Sequence, residues 1–316
     1  MNLMFVVPIF NDWVSFRRLV VEIDRALDGS GHRASILAVD DGSSLPMDGL
    51  SWPPGSLPQV AGVEVAALAC NLGHQKAIAV GLTLASKREG FDAVVVMDGD
   101  GEDDPNDLPR LLDALERDGA PIVMAHRAKR SEGPVFKVFY RLYKFAFRVL
   151  TGVSLSFGNY CALRPAAARR LAFMPNLWNS LPATCLRSKL PMAAMPTVRG
   201  RRYAGEPKMN FIGLILHGLQ AITVFADTVF VRLSLASILV AALAVVAVVV
   251  VRFVSFDWVV PGWASNMVGF LALALLTVLS GLLGTSLLTL QERSNMPMIP
   301  SLHAEVYVQD IHGLYP

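Results

Sequence analysis

Residues 94–96, a run of three valines, lead into the acidic turn Asp98-Gly99-Asp100. The valines predict a buried strand, and the turn then lies at the carboxyl end of that strand, where open α/β sheets bind ligands. Gly99 allows the tight backbone that lets both carboxylates reach one divalent cation. The sequence therefore predicts a Mg²⁺ or Mn²⁺ site for a phosphorylated substrate. The alternative is a solvated turn, because so short a motif also arises by chance.

The N-terminal part of the chain has the order strand, helix, strand. Residues 3–8 and 36–39 are apolar and predict strands, and residues 13–27 have apolar side chains at helical spacing. This order predicts a parallel, right-handed unit and an α/β fold. The second strand ends in Asp40 and Asp41, so polar side chains again follow a strand at its carboxyl end.

A third predicted strand, residues 63–68, is followed by a motif that opens a helix. The motif is Asn71-Leu72-Gly73-His74-Gln75-Lys76. A helix N-terminus that begins with Gly, His and Lys suits an anion. The alternative is that Asn71 caps the helix and that Lys76 is a solvated surface charge.

Basic residues dominate the stretch after the next predicted strand, residues 121–125. A cluster from His126 to Arg130 follows that strand and is expected at the same edge of the sheet as the aspartates. Residues 134–150 predict a helix with cations on one face and aromatic side chains on much of the rest. The cations are Lys137, Arg141, Lys144 and Arg148. This composition is typical of a helix on an anionic membrane surface; the alternative is a helix that packs its aromatics into the core.

The C-terminal part is far more apolar than the rest of the chain. The hydrophobic fraction of 53% and the mean hydropathy of +0.46 owe their excess to residues 211–290. Residues 233–251 and 267–290 each have the length of a membrane-spanning helix, and flanking Arg and Lys concentrate at the outer ends of the pair. That asymmetry predicts a cytoplasmic N-terminal domain and cytoplasmic termini. The predicted segments are a soluble domain (1–208), an interfacial amphipathic helix (209–231), two transmembrane helices (232–291) and a cytoplasmic tail (292–316).

Net charge and cysteine content argue against several classes of protein. The net charge of +2 is too small to indicate nucleic-acid binding. The three cysteines, Cys70, Cys161 and Cys185, are far apart and form no Cys-x-x-Cys pair. They argue against a disulfide framework and a zinc site, and they favour free thiols in a reducing compartment.

Four motifs in order resemble the family 2 glycosyltransferases, whose nucleotide-sugar-binding domain has the GT-A fold. They are Val6-Val7-Pro8-Ile9-Phe10-Asn11, Asp40-Asp41-Gly42-Ser43, Asn71-Leu72-Gly73-His74-Gln75 and Asp98-Gly99-Asp100. With its C-terminal apolar segments, the chain most resembles the polyprenyl-phosphate glycosyltransferases, which include dolichol-phosphate-mannose-synthase-like enzymes. The resemblance implies an α/β, Rossmann-like domain with a mostly parallel sheet, followed by interfacial helices and a two-helix transmembrane hairpin.

The resemblance also implies inverting transfer of a sugar from a nucleotide-diphosphate sugar to undecaprenyl or dolichyl phosphate, at the inner (plasma) membrane. Asp98 and Asp100 would bind Mg²⁺ or Mn²⁺ on the donor diphosphate. Asp103 would orient the sugar or acceptor or act as a base, and Arg127 and Arg130, with Lys137, would bind the lipid phosphate. The residues implied for nucleotide-sugar binding are Pro8, Asn11, Asp40, Asp41, Asn71, Lys76, Asp98, Arg202 and Lys208.

Other functions remain open at this point. A processive polysaccharide synthase would usually carry a Gln-x-x-Arg-Trp motif and more membrane spans, which this sequence does not contain. A family 2 transferase with a different acceptor is an alternative, as is a non-catalytic membrane-anchored scaffold, although Asp98 and Asp100 argue against the scaffold. The expected partners are a nucleotide sugar, a polyprenyl phosphate and the lipid bilayer, without nucleic acid, and a homo-oligomer is compatible with the sequence.

Overall fold

The chain folds into two compact units. The computed structural model describes residues 1–47, 52, 55–117, 119–129, 134–154, 157–198, 200–204, 211–253, 262–294 and 297–315. The first unit comprises Met1–Phe145, Val153–Val224 and Met298–Pro316, and the second comprises Ala146–Gly152 and Phe225–Pro297. The C-terminal end of the chain therefore returns to the first unit after the apolar segments.

One eight-stranded sheet forms the centre of the first unit. Its strands are β1 (Asn2–Ile9), β2 (Arg33–Asp40), β3 (Val60–Leu68), β4 (Ala93–Val96), β5 (Ile122–Lys129), β6 (Cys161–Leu163), β7 (Met192–Val198) and β8 (Val308–Tyr315). They lie in the order β7-β5-β6-β4-β1-β2-β3-β8. The pairs β1–β2, β1–β4, β2–β3 and β5–β7 are parallel, whereas β6 and β8 are antiparallel to their neighbours. The predicted mostly parallel sheet is confirmed.

The described residues form ten α-helices. They are α1 (Trp13–Ala26), α2 (His74–Ser86), α3 (Leu108–Arg117), α4 (Pro134–Thr151), α5 (Pro165–Ala172), α6 (Leu181–Arg187), α7 (Phe211–Thr223), α8 (Ala226–Phe253), α9 (Trp263–Ser294) and α10 (Pro300–His303). Short 3₁₀-helices occur at Pro105–Asp107, Pro175–Trp178 and Ala304–Tyr307.

Two apolar clusters bury the two faces of the sheet because successive side chains of a strand point to opposite faces. Phe5 of β1 belongs to the cluster that contains α1 and α3, and Val6 belongs to the cluster that contains α2, α5 and α6. Gly81 allows α2 to lie close to the sheet, since a Cβ there would meet Val6 Cγ1 at 2.5 Å and Val39 Cγ2 at 2.6 Å. This packing fixes α2, which follows β3 and begins at the carboxyl edge of the sheet.

The basic residues after position 125 lie differently from their predicted position. β5 continues through Lys129, so His126 and Arg127 are part of the strand and do not follow its end. The reason is parallel pairing with β7, which extends along β5 as far as Lys129. β7 has no strong strand signal in the sequence, so the end of β5 was predicted too early.

The C-terminal residues, expected to be a tail, complete the sheet at one edge. β8 pairs antiparallel with β3. Tyr315 is buried, its hydroxyl accepts a hydrogen bond from the backbone N–H of Leu57 at 3.3 Å, and its ring meets that of Trp52 edge-on at 6.3 Å. The polar sequence of β8 gave no strand signal, because one of its faces is exposed and the strand is held by pairing with β3.

The second unit is formed mainly by α8 and α9, which contact each other. Within the described residues, Ala226–Val246 is long and apolar enough to cross a membrane, and Asn266–Gly281 is a shorter apolar stretch. The helix expected at 209–231 is divided in two: α7 ends at Thr223, and α8 begins at Ala226. At the break, the carbonyl of Val224 accepts a hydrogen bond from Arg187 Nη1 at 2.8 Å instead of continuing the helix ladder.

Candidate functional site

The acidic turn after β4 is held in shape by hydrogen bonds to its own backbone. The N–H of Asp98 donates to Oδ2 of Asp103 at 2.9 Å, and the N–H of Glu102 donates to Oδ1 of Asp100 at 2.9 Å. Gly101 has a φ of +86°, a left-handed conformation that glycine adopts without strain. Asp103 is only 4% exposed. Its carboxylate therefore supports the turn from inside.

The carboxylates of Asp98 and Asp100 fit a hard divalent cation. Burial, reinforced by the charge of Asp98, raises the pKa of Asp100 above its usual value. The two carboxylates thus repel each other, and a bound cation would relieve that repulsion. Mg²⁺ binds through one or two carboxylates and fills its other positions with water and substrate phosphate oxygens. Among the described residues, no group of three or more His, Cys, Asp or Glu side chains is arranged as a metal site.

His74, in the first turn of α2, contacts Asp98 of this pair. Its Nε2 lies 3.2 Å from Oδ1 of Asp98. Burial lowers the pKa of His74, but the charges of Asp98, Asp100 and Asp103 outweigh burial and raise the pKa overall. His74 was not among the predicted site residues, although its place in the helix-opening motif after the third strand was an available signal.

A network of two buried amides lies behind His74. Nδ2 of Asn159 is 2.9 Å from Nε2 of His74, and Nε2 of Gln75 donates to Oδ1 of Asn159 at 2.9 Å. The backbone N–H of Leu181 donates to Oε1 of Gln75 at 2.9 Å. The network links the start of α2 to the segment before β6 and to the start of α6. No sequence pattern indicated Asn159, because 84 positions separate it from Gln75.

The predicted nucleotide-binding aspartates lie at the end of β2, and they differ in what they contact. Asp41 is 3% exposed and accepts from the backbone N–H groups of Leu72 at 2.7 Å and Gly73 at 2.9 Å. Burial raises the pKa of Asp41, and the two hydrogen bonds offset only part of this effect. Asp40 is partly exposed, and its Oδ1 accepts from the N–H of Ser43 at 2.9 Å. Asp41 therefore holds the loop that opens α2, whereas the side chain of Asp40 stays partly exposed.

Pro8 lies near the end of β1, and Asn11, in the loop that follows, supports the loop after β2. Pro8 is buried within β1. Asn11 has a φ of +50°, a conformation that asparagine tolerates better than most residues. Its Oδ1 accepts from the N–H groups of Ser44 and Leu45, each at 2.9 Å. The loop after β1 thus positions the loop after β2 at the same edge of the sheet.

Arg202 lies between two carboxylates. Its Nη2 is 3.4 Å from Oδ2 of Asp12, and its Nη1 is 3.4 Å from Oδ2 of Asp100. Its Nε donates to the carbonyl of Ala204 at 3.2 Å. The structure therefore brings this arginine, predicted at the donor diphosphate, to one of the predicted metal ligands.

The other predicted site residues are less closely tied to this cluster. Asn71 and Lys76 are exposed around the start of α2. Arg127 lies in β5, and its side chain, like that of Lys137, is outside the described part of the structure. Arg130 and Lys208 lie outside the described residues altogether.

Where the side chains of helix α4 are described, residues 141–151, cations and large apolar side chains are exposed side by side. Arg141 and Arg148 are exposed, and Lys144 is half-buried. Leu142 and Phe145 are also exposed, at 63% and 67%. Large apolar side chains beside cations are the composition of an interfacial helix, so the membrane interpretation stays a prediction for this helix.

His217 of α7 is a further polar residue near the site. It is half-buried, and burial lowers its pKa, with His74 acting in the same direction and Asp98 against it. The position of α7 is fixed in part by Tyr143, whose hydroxyl donates to the carbonyl of Gly218 at 3.4 Å. From the sequence alone, His217 is only a polar residue in an apolar helix, and it was not among the predicted site residues.

The sequence is similar to known sugar transferases. The family model described as Glycosyl transferase family 2 matches residues 4–172. The undecaprenyl-phosphate 4-deoxy-4-formamido-L-arabinose transferase of Edwardsiella ictaluri is 27% identical over 243 residues, which cover 73% of this chain and 70% of that protein. The dodecaprenyl-phosphate galacturonate synthase of Rhizobium johnstonii is 29% identical over 143 residues, which cover 42% of this chain and 38% of that protein.

The fold is similar to that of glucosyl-3-phosphoglycerate synthase from Mycobacterium tuberculosis. Its structure with Mn²⁺, UDP-glucose and phosphoglyceric acid has a TM-score of 0.51 at 14% identity and covers 72% of this chain and 79% of that one. Its structure with Mg²⁺ and UDP has a TM-score of 0.50. The likeness is one of fold.

Proposed function

The chain belongs to glycosyl transferase family 2 and has the GT-A fold, and from this premise we propose that it transfers a sugar, with inversion, from a nucleotide-diphosphate sugar to a polyprenyl phosphate. The observation that carries the proposal is the pair Asp98 and Asp100 at the carboxyl end of β4, in a turn that Asp103 supports from inside. Support for the lipid acceptor comes from the two similar proteins, which are named for undecaprenyl and dodecaprenyl phosphate.

The donor half of the site consists of the acidic turn and the loops after β1, β2 and β3. Asp98 and Asp100 would hold Mg²⁺ or Mn²⁺, which when bound neutralises charge on the leaving diphosphate. Asp40, whose side chain is partly exposed, is the proposed contact for the base or ribose. Arg202 and Lys208 would bind the diphosphate, because guanidinium and ammonium groups match its charge.

The acceptor half requires little proton transfer, because a phosphate monoester is already largely ionised near pH 7. A general base is therefore not required, and Asp103 is better suited to hold the turn, since its Oδ2 accepts from the N–H of Asp98. Arg127, Arg130 and the cations of α4 are the proposed contacts of the lipid phosphate. Arginine suits this task because its planar fork matches phosphate oxygens.

The path of the chain supports two membrane spans. The chain leaves the first unit after Val224 and is part of it again from Met298. We propose that this unit lies on one side of a membrane, and because both ends of the intervening segment are tied to it, an even number of crossings is expected. Since α8 contains one stretch of spanning length, the second crossing falls to α9. The flanking cations support a cytoplasmic catalytic unit and cytoplasmic termini.

The function is tested with the purified full-length protein in lipid nanodiscs. It is incubated with Mn²⁺, undecaprenyl phosphate and each member of a panel of radiolabelled UDP- and GDP-sugars, and label is counted in the organic phase. We expect one donor to give a labelled lipid whose anomeric configuration is inverted relative to the donor. Transfer only to a soluble acceptor, or hydrolysis of the donor without lipid product across the panel, would overturn the proposal.

A further inference from the structure

Residues 200–204 lie directly on the acidic turn. The backbone N–H of Gly200 donates to the carbonyl of Glu102 at 2.9 Å, and the N–H of Tyr203 donates to the carbonyl of Asp100 at 2.8 Å. The fit is close, because a Cβ on Gly200 would lie 2.3 Å from the carbonyl oxygen of Gly101. The backbone of this segment is therefore fixed to the turn at two points.

The side chain of Tyr203 strengthens this attachment. A Cβ on Gly101 would lie 2.6 Å from its ring, so only glycine leaves room for the ring against the turn. The guanidinium of Arg18 lies over the same ring, 4.7 Å from its centroid. Burial is the main reason that the pKa of Tyr203 rises to about 12, so the hydroxyl stays neutral. The backbone of the segment and Tyr203 are thus both held against the turn, and Arg202 lies between these two attachments.

The guanidinium of Arg202 uses different atoms for its two carboxylates. Nη2 contacts Asp12 and Nη1 contacts Asp100, both at 3.4 Å, which is loose for a charge-assisted pair. Oδ1 of Asp100 is engaged by the turn, so the Arg202 contact covers the remaining oxygen, Oδ2. Oδ2 is therefore the oxygen at which Arg202 and a cation would compete.

We propose that Arg202 is an internal counter-ion of Asp100 and exchanges this carboxylate for the donor diphosphate when cation and donor bind. Asp12 keeps the guanidinium within reach during the exchange, which needs only a side-chain rotation about a fixed backbone. This inference rests on the proposed function, since the diphosphate belongs to its donor. It makes metal and nucleotide binding mutually supportive: a cation alone must displace Arg202, whereas a cation with a diphosphate gives Arg202 a new partner.

If Arg202 makes this exchange, removal of its charge should change the affinities for Mn²⁺ and for the nucleotide in opposite directions. In Arg202→Gln, Mn²⁺ alone should bind more tightly, because no cation competes for Asp100; removal of a unit charge a few ångströms from a divalent ion corresponds to about tenfold. With Mn²⁺ present, UDP or GDP should bind about tenfold more weakly, because the diphosphate loses an arginine contact. A purely structural role would weaken both affinities.

The experiment measures free Mn²⁺ by electron paramagnetic resonance, without nucleotide, and nucleoside diphosphate affinity by calorimetry, on the full-length protein. Arg201→Gln is the matched control, since Arg201 is the exposed neighbour, and it should change neither affinity. Arg202→Lys keeps the charge and should bind Mn²⁺ like the wild type. Thermal unfolding checks the fold, and Arg202→Ala replaces Arg202→Gln if the latter does not fold.

Unchanged or weaker Mn²⁺ binding in the neutral variants would overturn the exchange, as would equally tight Mn²⁺ binding in Arg202→Lys and Arg202→Gln. These outcomes are independent of the donor. If the wild type binds Mn²⁺ but no nucleoside diphosphate, the proposed function itself fails. If the wild type binds both Mn²⁺ and a nucleoside diphosphate, but Arg202→Gln does not shift these two affinities in opposite directions, the proposed function stands and Arg202 is a structural residue.

Discussion

Three carboxylates around the acidic turn have different tasks because their surroundings differ. Asp100 keeps one oxygen toward Arg202, whereas Asp103 is buried and accepts the N–H of Asp98. Asp41 is buried as well and accepts two N–H groups of the loop that opens α2. The sequence motifs contain Asp41 and Asp100, and the family resemblance implies Asp103, but burial and hydrogen bonding decide which of the three can meet a ligand.

Asp103 provides a test at this scale. Asp103→Asn keeps an oxygen acceptor for the N–H of Asp98, so sugar transfer should stay within about tenfold of the wild type. Asp103→Leu leaves that N–H without its acceptor, which costs about 1–3 kcal/mol and should lower the Tm and weaken Mn²⁺ binding. The measurements are kcat, Tm and Mn²⁺ affinity. Loss of kcat in Asp103→Asn with unchanged Tm and Mn²⁺ affinity would instead identify Asp103 as the general base.

Among the helices and strands, those whose own residues carry the hydrophobic pattern that burial requires could be predicted from the sequence. The strand of residues 94–96 was predictable because it is buried on both faces and is therefore continuously apolar. The amphipathic α1 was predictable because its apolar periodicity is set by one buried face. β7 contains Pro196, which suits an edge strand but weakens the strand signal, and its partner β5 is distant in sequence. β8 is polar and depends on pairing with β3. Elements that exist through distant pairing could not be predicted from their own residues.

Helix α4 gives a prediction at this scale. Replacing Lys137, Arg141, Lys144 and Arg148 by Gln should raise the KM for polyprenyl phosphate about tenfold or more, because each cation near an anionic surface contributes about 1 kcal/mol. The KM for the nucleotide sugar should change little, since the donor site lies on other elements.

The matched control replaces four exposed cations elsewhere in the first unit, Arg17, Arg33, Arg117 and Lys189, and so gives the same change of net charge. The control should leave both KM values unchanged. If the α4 variant keeps its lipid KM, or if its donor KM rises equally, α4 is a core element and not a membrane-surface helix.

At the scale of the whole molecule, the return of the chain to the first unit is the feature that constrains topology. The sequence predicted apolar segments and a flanking charge bias, and it treated the last residues as a tail. The structure adds β8, which ties the C-terminus to the sheet that also contains the N-terminus. Such a tie depends on tertiary pairing and has no local signature.

This topology predicts opposite labelling of two cysteines. In a Cys70→Ser background, a cysteine introduced at Ser265 should react with a membrane-impermeant maleimide from the side opposite the catalytic unit. In the unmodified protein, Cys70 is the exposed cysteine of the first unit, whereas Cys161 and Cys185 are buried. In inverted vesicles, where the cytoplasmic side faces the reagent, Cys70 of the unmodified protein should react, and it should not react from the other side. Labelling of both positions from one side would contradict the two-span topology.

Binding of a divalent cation by the acidic turn, which the proposed sugar transfer requires, is tested by comparing lipid-linked sugar formation in Asp100→Asn and Asp113→Asn. Both variants remove one carboxylate charge, but Asp113 is exposed on α3, away from the turn. We expect a loss of about a hundredfold or more in kcat/KM for Asp100→Asn and no change for Asp113→Asn. The wild type should show a similar loss in EDTA, and added Mn²⁺ should restore its activity. Full turnover by Asp100→Asn, or by the wild type in EDTA, would contradict this requirement for a cation.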